Sequence, residues 1–312
     1  YLMNTLLSSV DHLKTNIILI GDKDQLPSVE TGAVLADLIK GNKPDGVAYL
    51  QTTYRSVGHM LEFVHGIKNK TKGQPIQIKS YKNIGQFFND QESSVGLIDW
   101  QDLSLLQFKA EIKYWVHQNL KDICIEFSKI KNPDENAIKN YLKGINQTKI
   151  LSVVNKGIFG VDGINQVCIV EILSLTKSAH QNNYFHGMPI QILRNNDKLE
   201  LYNGDVGVIT KDEHNSFRAV FARENGIKDF AIDTIPSFQP AFATTIHKSQ
   251  GSEYNHILLV IPQDATEMLV TKQLLYTGIS RAKTKCLILA TMHDFQKGLD
   301  NEIYRTTGLV IN

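Results

Sequence analysis

Cysteine is scarce: Cys124, Cys168 and Cys286 are the whole supply in 312 residues, and no two of them form a CxxC pair. That spacing excludes a disulfide framework or a cysteine-built zinc site, and no other metal site is expected; scarce thiols fit a reducing compartment. An excess of either charge is also lacking, with 33 Lys and Arg against 32 Asp and Glu. Net charge therefore cannot recruit a polyanion, and any nucleic-acid site must be a local patch. No apolar run approaches the ~20 residues of a membrane span, and no stretch has the pattern of a signal peptide. These absences lead to the expectation of a cytoplasmic chain with no membrane partner. Internal repeats and low-complexity tracts are missing too.

What is present begins with "IILIGDKDQLPSV", Ile17 to Val29. Four aliphatic residues without alternation suit a strand buried on both faces, as in a parallel sheet covered by helices. Such sheets place their ligands at the carboxyl ends of the strands, which is where Asp22–Gln25 falls. Leu2, Leu6, Val10 and Leu13 predict a helix over Tyr1–Leu13, already in progress at the first residue. A helix is expected over Ala33–Lys40, a turn-rich linker at Gly41–Gly46, a strand at Val47–Arg55 and a short helix at Gly58–Lys68. The basic run Lys68–Lys82 reads first as a solvated surface, with contact to a DNA backbone as the alternative. Leu105, Phe108, Ile112, Trp115, Leu120, Ile123 and Phe127 recur at helical spacing and predict one long amphipathic helix over Leu103–Phe127. Another helix follows at Asp134–Gly144, then a buried strand at Lys149–Asn155 and a return to helical spacing.

From His186 the texture changes to short strands bounded by Gly, Asn or Asp, which suggest a small barrel or sandwich. Asn203–Gly204 is a hairpin-turn signal. After Pro240 the α/β texture resumes: strand Ala241–Ile246, strand Ile257–Ile261, helix Thr271–Lys283 and strand Leu287–Thr291. The small β unit reads as inserted into an α/β domain.

Four polar clusters mark the ends of apolar segments: Asp22–Gln25, Arg55 in "TTYRS", "TTIHKSQGSE" at Thr244–Glu253, and "LLYTGISRAK" at Leu274–Lys283. Singly each has an ordinary explanation: Gln25 as a capping group, His247 as a loop histidine, Arg281 as a surface helix residue. In this order they resemble motifs III, IV, V and VI of superfamily 1 DNA helicases, in the 5′-to-3′ branch that contains RecD, the alpha subunit of exodeoxyribonuclease V. "FGVDGINQ" and "GMPIQILRNNDKLELYNGDVGVI" are similar to RecD segments between the motifs, so the resemblance spans essentially the whole chain.

The resemblance implies an α/β fold in which 1–45 is the carboxyl-terminal part of a first RecA-like domain. Residues 46–185 and 241–312 then form a second RecA-like parallel-sheet domain, and 186–240 an inserted SH3-like β-barrel. It implies ATP and Mg²⁺ as cofactors, single-stranded and duplex-end DNA as substrates, and RecB-like and RecC-like subunits as partners. Gln25 is implied to report on the γ-phosphate, with Asp22 beside it. Arg55 and Arg281 are forked, permanently charged donors suited to phosphate oxygens, and are implied to reach across onto ATP held by the first domain. An arginine finger is worth roughly 10³–10⁵ in rate, or about 4–7 kcal/mol of barrier. Glu253 falls where the family contacts the nucleotide sugar, and Gly251 leaves room for close backbone approach. Thr244, Thr245, His247, Lys248 and Ser249 offer donors that bind phosphates without reading sequence.

The sequence carries no GxxxxGK[ST] loop and, ahead of the Ile17–Ile20 run, no Asp-Glu pair to hold Mg²⁺; its two Asp-Glu pairs, Asp134–Glu135 and Asp212–Glu213, lie far downstream. With Tyr1 in place of a methionine, the expectation is the carboxyl-terminal part of a longer helicase, inactive as an ATPase by itself, whose Mg²⁺ ligands lie further upstream. Alternatives are a stand-alone RecD-like helicase, a conjugative relaxase–helicase, or a non-hydrolysing remnant that binds DNA or a partner.

Overall fold

The computed structural model describes residues 5–6, 8–11, 13–27, 35, 38–39, 46–50, 58–101, 103–178, 184–235, 237–263, 265 and 269–302. In chain order the regular elements are α1 (His59–Lys68), β1 (Lys79–Ser80), α2 (Ile84–Asn89), β2 (Val95–Asp99), α3 (Leu105–Asn119), α4 (Lys121–Ser128), α5 (Glu135–Ile145), β3 (Thr148–Ser152) and α6 (Val161–Thr176). There follow β4 (Met188–Ile192), β5 (Val206–Lys211), β6 (Phe217–Arg223), β7 (Gly226–Ala231), β8 (Phe238–Pro240), β9 (Ala243–Thr245), β10 (Tyr254–Val260), α7 (Lys272–Ile279), β11 (Ala282–Ala290) and α8 (Met292–Asp300). No helix among the described residues is long and apolar enough to cross a membrane.

A six-stranded sheet in the order β1-β2-β11-β10-β3-β9 pairs in parallel throughout. Its central strands β10 and β11 carry the aliphatic runs Ile257–Val260 and Leu287–Leu289 because both faces are covered there. Ile257, Leu259 and Ile288 face a core built with α1, α7 and α8. Leu258, Val260, Leu287 and Leu289 face the opposite core, built with α2 to α6. The second sheet, β7-β6-β5-β4-β8, is antiparallel, and it shares that opposite core through Ile190, Val208 and Phe221. Only Ala241 and Phe242 separate β8 from β9, so the antiparallel sheet feeds directly into the parallel one.

That junction is clamped. Lys149 Nζ, on β3, donates to Ala241 O at 2.6 Å. Asn165 Nδ2, on α6, donates to Pro240 O at 3.0 Å and Ala243 O at 3.3 Å, while its Oδ1 accepts from Ala243 N at 2.8 Å.

Three expectations are corrected. Residues 15–20 form no strand, and Ile18 and Ile20 are 82% and 89% exposed. An apolar run becomes a buried strand only where neighbours supply both a hydrogen-bond ladder and covering layers, and no described strand lies beside this one. The helix expected over Leu103–Phe127 is two helices, broken at Leu120, whose φ of −126° is not helical. Helix α7 stops at Ile279 and β11 starts at Ala282, so Arg281 occupies the turn between them rather than a helix surface. Residues 1–4, 7 and 12 of the expected first helix, most of Ala33–Lys40, nearly all of the Gly41–Gly46 linker, and Arg55 lie outside the described residues; 5, 6 and 8 are helical. Residues 47–50, the start of the strand expected there, have no regular structure.

Candidate functional site

The Gly21–Pro27 loop packs against the carboxyl end of α7. Leu26 is the anchor: 8% exposed, it enters the core with Ile246, Leu274 and Ile279. Its backbone is tied on both sides, N–H to Thr277 Oγ1 at 2.9 Å and C=O to Gln250 Nε2 at 3.2 Å. These bonds join segments 251 and 224 residues apart. Leu26 buried in this way fixes where Gln25, the residue before it, can reach.

Gln25 meets Arg281. Arg281 Nη2 donates to Gln25 Oε1 at 2.6 Å, across 256 residues of sequence. Gln25 Nε2 donates in turn to Asp22 Oδ2 at 3.0 Å, and the Tyr276 hydroxyl donates to the same oxygen at 3.1 Å. Asp22 Oδ1 accepts from Asp24 N at 3.0 Å, which holds the loop in a tight turn. Arg281 is 2% exposed; its Nε donates to Thr277 O at 3.2 Å and its Nη1 to Ser252 O at 3.3 Å. A buried guanidinium is tolerated only when its donors are used, and these bonds set the plane of the fork. The backbone joins the same knot, Tyr254 N donating to Arg281 O at 2.9 Å. Burial raises the Tyr254 hydroxyl above its ordinary pKa, and the Arg281 charge opposes that.

The segment after β9 forms the second half of the site. Thr244 is buried and its hydroxyl donates to Gln191 Oε1 on β4 at 3.2 Å. Ser249 is fully buried and its hydroxyl donates to Ile246 O at 2.7 Å. Both were expected among the strand-contacting donors; strand alternation and a short 3-10 turn over His247–Ser249 direct them inward instead. Thr245, His247 and Lys248 lie at or near the surface. Partial burial lowers the Lys248 ammonium below its ordinary pKa, with Asp162 pulling it back up. Gly251 has a φ of +83°, and its Cα faces open space, so glycine is needed there for the backbone turn. Glu253 pairs with Lys283 at 3.0 Å.

Tyr276, Thr277, Gln250, Ser252 and Leu26 complete the knot without having been singled out in the sequence. Gln250, Ser252, Tyr276 and Thr277 lie inside the polar clusters read from the sequence, and Leu26 directly follows one. The donor set around Arg281 and Gln25 suits a phosphoryl oxygen: a forked cation, a neutral amide and a hydroxyl. The described residues hold no group of three His, Cys, Asp or Glu side chains that could bind a metal ion.

Comparison with known proteins bears on this arrangement. A family model of the UvrD-like helicase C-terminal domain matches residues 240–289, which hold both the Thr244–Glu253 segment and Arg281. An AAA domain model matches residues 1–87. The RecBCD enzyme subunit RecD of Mycolicibacterium smegmatis is 28% identical over 95% of the chain and 49% of that protein. The chain resembles RecD along nearly its whole length. RecD of Buchnera aphidicola repeats the match at 26% identity, over 95% of the chain and 53% of that protein. The chain thus spans about half the length of the curated RecD relatives it matches. A solved Pif1 helicase from Bacteroides, in complex with ADP-AlF3 and single-stranded DNA, overlaps 88% of the chain and 62% of its own, at 16% identity and a TM-score of 0.39.

Proposed function

We propose that this chain works in an ATP-dependent 5′-to-3′ DNA helicase of the RecD type, acting in the cytoplasm on duplex ends with RecB-like and RecC-like subunits in double-strand-break repair. The observation that carries the reading is the 2.6 Å contact between Arg281 and Gln25. A buried arginine and a neutral amide, each at the end of its own segment, meet where a terminal phosphate can be felt from two sides. In this reading Gln25 Oε1 holds the position on Arg281 Nη2 that a phosphoryl oxygen takes when nucleotide binds. ATP bound there supplies the phosphoryl group whose loss drives the motor. Arg281 stabilises the charge that develops on the equatorial oxygens, and Asp22 and Tyr276 hold the Gln25 amide in place. Arg55 acts as a second cation on the same group, and Glu253 with Gly251 meets the sugar.

Coupling to the DNA strand runs through the same residues. Gln250 and Ser252 touch the nucleotide side, while Thr245, His247 and Lys248 of the same loop face outward as donors to phosphates. Thr244 and Ser249 brace this loop from inside. The antiparallel sheet of 188–240, read as the SH3-like insertion, is joined to it through β8 and the Gln191–Thr244 bond. Residues 1–45 belong in this reading to the first RecA-like domain, and the parallel sheet to the second.

The test is unwinding by the native protein of duplexes carrying a 5′ or a 3′ single-stranded tail. ATP-dependent opening of the 5′-tailed substrate alone is expected. Opening of the 3′-tailed substrate alone, or of neither in the presence of its partner subunits, overturns the reading.

A further inference from the structure

Between β3 and α6 the chain makes a short loop, residues 153–160, that is held from several sides. The Phe159 ring lies edge-on to Trp100 and Phe108, with centroids 5.1 and 4.9 Å apart. Phe159 O accepts from Ser152 Oγ at 3.4 Å. Val161 N and Asp162 N donate back to Val154 O and Asn155 O at 3.2 and 3.1 Å. The winding at Gly160 is so close that a Cβ there would lie 2.3 Å from Lys156 O. A loop fixed this firmly nevertheless directs two side chains into solvent: Ile158 is 53% exposed and the Lys156 side chain 87%.

The neighbour of this loop is the Thr245–Lys248 segment. Ser152 stands opposite Thr245 in the β3–β9 register, and Ile246 N donates to Ser152 O at 3.3 Å. Asp162, in the first turn of α6, pairs with Lys156 at 3.1 Å, and its charge also acts on Lys248. Lys156, Ile158, Lys248, His247 and Thr245 thus share one end of the parallel sheet, two ammonium groups against one carboxylate, with an apolar side chain among them. Phosphates need the cations, and the faces of unpaired bases or sugars need apolar contact. A duplex offers the first but hides the second inside its stack.

We propose that the 153–160 loop is a second wall of the strand track, in which Lys156 meets a phosphate and Ile158 packs on a base or sugar of single-stranded nucleic acid. The assignment rests on the strand reading of Lys248 and extends it to a loop outside the helicase-domain match at 240–289.

Fluorescence anisotropy of a labelled oligothymidine with the full chain, across a salt series, tests it. Lys156→Ala is expected to lower the slope of log affinity against log salt by about 0.7, the value for one phosphate contact on a single strand. Ile158→Ser is expected to weaken binding about three- to tenfold at every salt concentration without changing the slope, because the lost contact is apolar. Ile158→Trp should bind at least as well, and its fluorescence should be quenched by the strand; the native Trp100 and Trp115 are 3% and 1% exposed and give a constant background. Ile158 and Lys156 are surface residues, and circular dichroism verifies that each variant is folded. If both single variants bind like wild type while Lys248→Ala lowers the slope, the loop is not in the track. If Lys248→Ala changes nothing either, the strand reading itself falls. Larger losses on duplex than on single strand would assign this surface to duplex DNA and overturn the proposal.

Discussion

Lys149 gives the sharpest stability prediction. Its ammonium group sits inside the parallel sheet, 4% exposed, 2.6 Å from Ala241 O and 5.6 Å from the centre of the Tyr254 ring. Burial pushes its pKa from 10.5 down to about 8. The unfolded chain regains the ordinary value, so between about pH 8 and pH 10.5 unfolding takes up a proton. The buried charge therefore costs its full amount below pH 8, and the cost fades as pH rises to 10.5. That gap is worth about 3 kcal/mol, at roughly 1.4 kcal/mol per pH unit. Lys149→Met keeps the stem and removes the charge, and it forfeits about 1 kcal/mol by leaving Ala241 O without its donor. Urea unfolding of both proteins should find the variant about 2 kcal/mol more stable near pH 7.5 and the wild type ahead by pH 10.5. The buried thiols Cys124, Cys168 and Cys286 are present in both proteins and largely cancel in the comparison. A stability difference that does not change with pH refutes the reasoning.

Thr277→Val removes the hydroxyl that receives Leu26 N–H at 2.9 Å. A buried donor left unsatisfied costs about 1–3 kcal/mol, and faster proteolysis between Gly21 and Pro27 than in wild type is the expected sign; unchanged cleavage contradicts the anchoring role of Leu26. The 312-residue chain alone, which carries no GxxxxGK[ST] loop, should hydrolyse ATP at the rate of a buffer blank in a coupled phosphate assay. Strand-stimulated turnover by this chain would place a phosphate cradle within it.

The sequence disclosed the site better than the architecture around it. Gln25 and Arg281 could be singled out because the polar clusters that hold them fall in a motif order that local chemistry alone does not explain, and the structure brings the two side chains into contact. Thr244 and Ser249 were expected to offer donors to the DNA strand, but both side chains are buried, Thr244 by strand alternation on β9 and Ser249 in the 3-10 turn that follows. Thr244 precedes an outward Thr245 on β9, and a period of two already requires the pair to face opposite ways. Strands β1 and β2 went unread: Lys79–Ser80 is two polar residues, and "VGLID" at Val95–Asp99 is short and contains glycine. Their pairing is decided by the neighbouring strand rather than by local propensity. The Ile17–Ile20 run failed in the opposite sense, since its pattern states a need for partner strands that the described residues do not supply. The break at Leu120 was hidden because the apolar stripe continues across it, from Val116 to Cys124 and Phe127.

The direct measurement is nucleotide discrimination by the native protein and its Arg281→Ala variant. Affinities for ADP and for a non-hydrolysable ATP analogue are read by calorimetry. A loss confined to the ATP analogue, with ADP bound as in wild type, is the outcome that follows if the Gln25–Arg281 contact senses the terminal phosphate. Equal losses for both nucleotides, or none for either, would contradict it.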